Sequence, residues 1–263
     1  MATVNEILEF VESLAPAYMK EEWDNVGLLC GRREGEVNKI LVALDPFYHV
    51  CQEAVEMGAD LLVTHHPLIF SPMKAINDDT EPGACAMLLI ENGVAAINAH
   101  TNLDLAPGGV NDVLAQALGL SDIEVLNPVG EDGEGSPYGL LHVGNVEQMP
   151  LEDFLARVKE ALGTPTLRYT DGGSPVCRVA VGGGSCGSEL YEAVEAGCDT
   201  FVTADVKYNQ FWDAQYRGLS IIDAGHFYTE NPVCAVLADK IRAAFPSVEV
   251  TISQSHRDCI RFY

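Results

Sequence analysis

One stretch of this chain is written twice, and that constrains the fold more than any other feature. Residues 54–66 read AVEMGADLLVTHH and residues 193–205 read AVEAGCDTFVTAD, an offset of 193 − 54 = 139. At the same offset, without a gap, KILVALD (39–45) lies over RVAVGGG (178–184). Each copy reads as an apolar strand, a turn, a helix, a Gly and Asp break, and a second apolar strand ending in Val-Thr. A strand–helix–strand unit of this kind needs a crossover, which pairs its strands in parallel. The match resumes in INAHTNLD, ending at Asp104, and IDAGHFYTE, ending at Glu230. Each is a strand followed by a histidine and, four residues later, an acid. The pattern predicts an α/β fold of two similar domains made by internal duplication, over residues 1–126 and 127–263. The join is expected in the Gly-, Pro- and acid-rich NPVGEDGEGSPYG (127–139).

Outside the repeat, Thr3 and Glu6 have the spacing of a capping box, and Ile7, Leu8, Phe10, Val11 and Leu14 fall on one helical face. Pro150 opens a further helix over 151–162, and another is expected over about 230–244. Strands are expected at 138–145, 166–170 and 247–253.

Composition narrows the function classes. No apolar run reaches the ~18 residues of a membrane span, and MATVNEILEFVESL lacks the basic start of an export signal. The eight cysteines form no C-x-x-C pair, which predicts reduced thiols and a cytoplasmic protein. A net charge of −24 argues against sequence-independent nucleic-acid binding, which rests on Lys and Arg. An anionic small molecule stays open, because a bound metal reverses the field locally.

In open α/β sheets, ligands bind beyond the C-terminal ends of strands. Four segments fall at such ends: His65-His66, His100 to Asp104, Thr203-Ala204-Asp205, and His226 to Glu230. On an extended backbone, which Pro67 favours at His66, neighbouring side chains point opposite ways. His65 and His66 are therefore expected to flank a cleft, each toward a different ion of a pair. Two-metal sites need bridging ligands, and Asp104 or Glu230 has the two oxygens required. His226 and Glu230 share one face if they lie on a single helical turn, and Pro232 then requires that the next helix start close by. A lone histidine pair is more often structural than ligating; the coincidence of all these groups at strand ends points to metal. Mixed imidazole and carboxylate donors suit Zn, Mn or Fe(II).

GGGSCG (182–187) has the form of the dinucleotide fingerprint, but the equivalent stretch ALDPFYH is not Gly-rich. It reads better as a tight strand-to-helix turn, with backbone N–H groups available to a phosphate. Lys207, in TADVKY, stands where an anionic substrate would be met. No G-x-S-x-G elbow is present, and His49, His142 and His256 show no partner pattern.

Several of these segments carry a family likeness over nearly the whole chain: EEWDNVGLLCG (21–31), VTHHPLIF (63–70), NAHTNLD (98–104), GGGSCGSE, TADVKY and DAGHFYTE (223–230). The chain resembles the GTP cyclohydrolase I type 2 homologue family, also called the Ngg-interacting-factor-three-like proteins. The resemblance implies two α/β domains with a dinuclear metal site in the cleft between them, assembled as a cytoplasmic ring-shaped homohexamer. It places the metal ligands on His65, His66, Asp104, His226 and Glu230, with His100 close by. It implies hydrolytic opening of the imidazole ring of GTP with loss of formate. On that reading His100 shuttles a proton and Lys207 meets the substrate anion. One loop departs from the family pattern: ADVKYNQ has Ala204 where Gly is usual, and Tyr208-Asn209 where histidine is common. Two other readings fit the residues, a dinuclear phosphoesterase or nuclease and a non-catalytic oligomeric metal- or partner-binding protein.

Overall fold

A computed structural model describes residues 2–263. It divides into two compact units, one formed by the chain up to Ala106 with Val233–Arg257, the other by Pro107–Pro232 with Asp258–Tyr263.

The first unit opens with a short strand β1 (Ala2–Thr3) and helix α1 (Val4–Leu14). Thr3 caps the helix and Glu6 reaches back to the Thr3 N–H, the capping box the sequence predicts. The five-stranded sheet runs β15-β4-β5-β6-β2, with β2 at Gly27–Cys30, β4 at Lys39–Ala43, β5 at Leu61–Thr64, β6 at Ala95–Asn98 and β15 at Glu249–Ile252; β3 (Glu36–Val37) pairs with β1. All pairings in the sheet are parallel except β2 with β6. Alternate side chains divide between its faces. Leu41, Ala43, Leu62 and Ala96 pack with Val50, Cys51 and Ala54 of α2 (Tyr48–Glu56) and Cys85, Ala86 and Leu89 of α3 (Glu81–Glu91). Ile40, Val42, Leu61, Val63 and Ile97 alternate with these and are equally buried. The strands thus read as near-continuous apolar runs because both faces are covered.

In the second unit the sheet runs β11-β14-β13-β12-β10-β7. Its strands are β7 (Ser121–Leu126), β10 (Leu141–Met149), β11 (Arg168–Thr170), β12 (Val176–Val181), β13 (Thr200–Thr203) and β14 (Ser220–Asp223). The central β12, β13 and β14 are parallel. Val179, Val181, Val202 and Ile222 pack against α5 (Val110–Ala117) and α6 (Leu151–Leu162), whereas Ala180, Phe201 and Ile221 pack against α7 (Leu190–Glu195) and α8 (Tyr208–Tyr216). The segment 127–139 forms a small hairpin, β8 (Gly130–Glu131) with β9 (Pro137–Tyr138), inside this unit.

The boundary therefore differs from the expected division at 126/127. The chain leaves the first unit after Ala106 and returns to it at Val233, because α10 (Pro232–Ala244) leads into β15, which adds to the free edge of β4. The strand expected at 247–253 forms, but in the sheet of the first unit. All eight cysteines are free thiols. Among the described residues, no helix is long and apolar enough to cross a membrane.

Candidate metal centre

β5 ends at Thr64 and the backbone bends through His65 and His66. The Thr64 hydroxyl donates to the His66 carbonyl at 2.7 Å and closes that bend. The two histidines do not splay as an extended segment would require. Their ring centroids lie 4.8 Å apart, and one ring nitrogen each of His65, His66 and His100 falls within 4.8 Å of the others. The bend keeps the two rings close, and with His100 they form one group that could hold a cation. His100 caps α4 (Thr101–Leu105), which carries Asp104. Asp104 Oδ1 stands 3.4 Å from His65 Nε2.

The Nδ1 atoms explain the arrangement. His65 Nδ1 bonds the Ala99 carbonyl at 2.9 Å, His66 Nδ1 the Asp45 carboxylate at 2.6 Å, and His100 Nδ1 the Asp24 carboxylate at 2.8 Å. A carbonyl or carboxylate partner makes Nδ1 the protonated nitrogen and leaves the lone pair on Nε2. That is how metal-ligating histidines are oriented. Burial raises the affinity of Asp45 for a proton, but hydrogen bonds from His256 and His66 outweigh it and hold the acid well below the usual carboxylate range. Asp24 behaves alike: burial pushes it up, and His100 and Thr101 bring it below that range. His256 is a working part of this set, for its Nε2 lies 2.9 Å from Asp45 Oδ2. It is brought there by the segment after β15, where Ser253, Gln254 and Ser255 bond the Glu53 carboxylate.

In the second unit, α9 (His226–Glu230) is the single helical turn the spacing predicts, and α10 starts at Pro232 as that proline demands. His226 Nε2 lies 2.9 Å from Glu230 Oε2, and His226 Nδ1 lies 2.8 Å from Asp205 Oδ2. Burial opposes the charged imidazolium, yet Asp205 and Glu230 together push the pKa up to about 11. The site thus holds positive charge between two carboxylates, the environment a divalent cation also requires.

The Gly-rich turn proves to be a seat for Glu230. Gly184 has φ +61°, and a Cβ there would strike the Glu230 carboxylate. The N–H of Gly183 is taken by Asn111 Oδ1 and that of Gly184 by Thr229 Oγ1, so these groups do not face a phosphate. Lys207 caps α8 from an exposed position. A cavity of about 250 Å³ beside His226 is lined instead by Arg168, with Asp205, Asp223 and Tyr228. The Arg168 guanidinium is held by Asp223 and the Val206 carbonyl, over the Phe211 ring.

Buried imidazole and carboxylate donors with fixed Nε2 lone pairs fit a divalent ion of borderline softness. Sequence reasoning missed Asp24, Asp45 and His256. Asp24 closes the turn begun at Glu21 and Asp45 follows the bend after β4, and composition gives them no distinguishing mark.

The sequence model of one family, Duf34/NIF3 (NGG1p interacting factor 3), matches residues 2–259. A "GTP cyclohydrolase 1 type 2 homolog" of Clostridium perfringens is 35% identical over 261 residues, covering 98% of this chain and 99% of its own. A "GTP cyclohydrolase 1 type 2" of Helicobacter pylori is 31% identical over 239 residues, 91% of each chain. Among solved structures, a Bacillus cereus protein related to NIF3 superposes with a TM-score of 0.93 at 27% identity, over 100% of this chain and 99% of that one.

Proposed function

The chain belongs to the Duf34/NIF3 (NGG1p interacting factor 3) family, and from that membership and the donor geometry we propose that it is a dinuclear-metal-dependent hydrolase of the GTP cyclohydrolase type. The observation that carries the reading is that three histidines, His65, His66 and His100, each spend Nδ1 on an oxygen acceptor and so present Nε2 as a ligand, while His226 is held by Asp205 through Nδ1 and faces Glu230 through Nε2. In this reading His65, His66 and Asp104 of one unit and His226 and Glu230 of the other serve a common pair of divalent ions, zinc, iron or manganese. Bound there, the ions supply Lewis acidity and lower the pKa of water at the site toward neutrality. His100, fixed by Asp24, carries a proton at Nε2 to or from the reacting purine. Lys207 or Arg168 meets the substrate anion. The reaction consumes two waters: the first adds at C8 and one C8–N bond breaks to give a formamide, and the second hydrolyses the remaining C8–N bond, releasing formate and leaving an amine. The names of the relatives support a nucleotide as substrate. The working assembly is a homohexamer.

The test is metal-loaded protein incubated with GTP, with formate, phosphate and nucleotide products measured together. Formate release that disappears in His100→Gln with metal content unchanged supports the reading. Phosphate without formate assigns the centre to phosphoester cleavage. No product from any nucleotide leaves a metal-binding protein without turnover.

A further inference from the structure

Two large aromatic side chains stand exposed beside the histidine cluster, where folding gives no reason for them. Trp23 is 60% exposed and Phe70 54%. Their ring centroids are 5.7 Å apart, and each lies 6.1 Å from the ring of His100. Neither is loosely placed. Asp24, next to Trp23, is pinned by His100 and by the backbone and hydroxyl of Thr101, while the Asn25 amide donates to the Ile69 carbonyl, next to Phe70. These bonds hold the chain beside both rings, one of them through the carboxylate that orients His100. Phe70 in addition lines an open cleft of about 610 Å³ along the loop 67–82, whose wall includes Pro67, Leu68 and Met73 and whose charged groups are Lys74 and Asp79.

Exposed apolar rings cost solvation unless a ligand covers them, and rings held beside imidazoles offer π-faces to a flat heteroaromatic partner. We propose that Trp23 and Phe70 form the stacking subsite for the purine ring of the substrate. The inference rests on the hydrolase reading for its location and adds to it the residues that select a planar ring. Base–aromatic stacking tolerates any base, so guanosine and adenosine both bind here, and discrimination between them lies elsewhere.

The chain has two tryptophans, and the other, Trp212, is on α8. Trp212→Phe leaves Trp23 as the sole indole reporter. Guanosine, adenosine and GTP are expected to quench its emission saturably, excited at the red edge where purines do not absorb, and tripolyphosphate is not. Trp23→Ala and Phe70→Ala should each weaken guanosine binding, read by calorimetry, by about 10- to 100-fold with the melting temperature unchanged, and Trp23→Phe should restore most of it. Absence of saturable quenching by either nucleoside overturns the subsite, as does wild-type guanosine affinity in Trp23→Ala. Formate release with an unaltered KM in Trp23→Ala removes the subsite and keeps the hydrolase. Saturable quenching without any turnover keeps the subsite and removes the ring-opening reaction.

Discussion

At the scale of single residues, the imidazoles depend on carboxylates that hold them from behind. Asp45 holds His66 through one oxygen and His256 through the other. Asp45→Asn leaves His66 without its charged partner and should weaken binding of Zn or Co(II) by about 10- to 100-fold in a calorimetric titration. An unchanged affinity would show that the His66 ring is oriented by other contacts. A different histidine contributes to the loss of stability in mild acid. His142 is buried on β10, and burial lowers its pKa below the ordinary 6.5 despite Asp112 at 3.4 Å. The folded chain then binds this proton less readily than the unfolded chain. Its neutral form contributes stability that is full above the unfolded pKa and is lost as pH falls below about 6.5. His142→Leu should flatten that part of the stability profile in denaturant titrations run across acid pH. A slope equal to the wild type's would put the loss elsewhere.

At the scale of elements, the repeat is legible in sequence where register is strict. Ile40 pairs with Leu61 and Val179 with Thr200, each pair related to the other by the offset of 139. The third strands show where the sequence misleads. Thr64 pairs with Asn98 and Thr203 with Asp223, which makes Gly225 rather than His226 the register equivalent of His100. Aligning the two histidines is therefore wrong by one residue: His226 begins its helical turn, and His100 caps its own. The same register accounts for an unusual acceptor. Asp223 receives the Val206 N–H, but Pro67 occupies that place in the first unit and has none, and the buried Asn98 Oδ1 finds no donor among the described residues. Two element-level changes test the local account. Gly184→Ala combines a left-handed backbone with a collision at Glu230, and should lower thermal stability and metal affinity together. Metal binding at wild-type strength would mean that Glu230 is not seated by this turn. Thr3→Ala removes the capping hydroxyl of α1 and should cost about 1 kcal/mol in urea unfolding.

At the scale of the whole molecule, the α/β class, the helix after Pro150 and the one-turn helix at His226 can all be read from periodicity and spacing. The return of residues 233–257 to the first unit cannot. β15 pairs with β4 across more than two hundred residues, and no local pattern encodes a partner that distant. The role of His256 was hidden for the same reason, because Asp45 lies 211 residues away from it. Family membership and the tethered imidazoles converge on one claim, that this chain holds divalent metal. The most direct measurement is elemental analysis of protein prepared without an affinity tag or chelator. About two ions of zinc, iron or manganese per chain are predicted, falling when His66 or Glu230 is replaced by alanine. No bound metal, even after incubation with each of the three, would contradict the account.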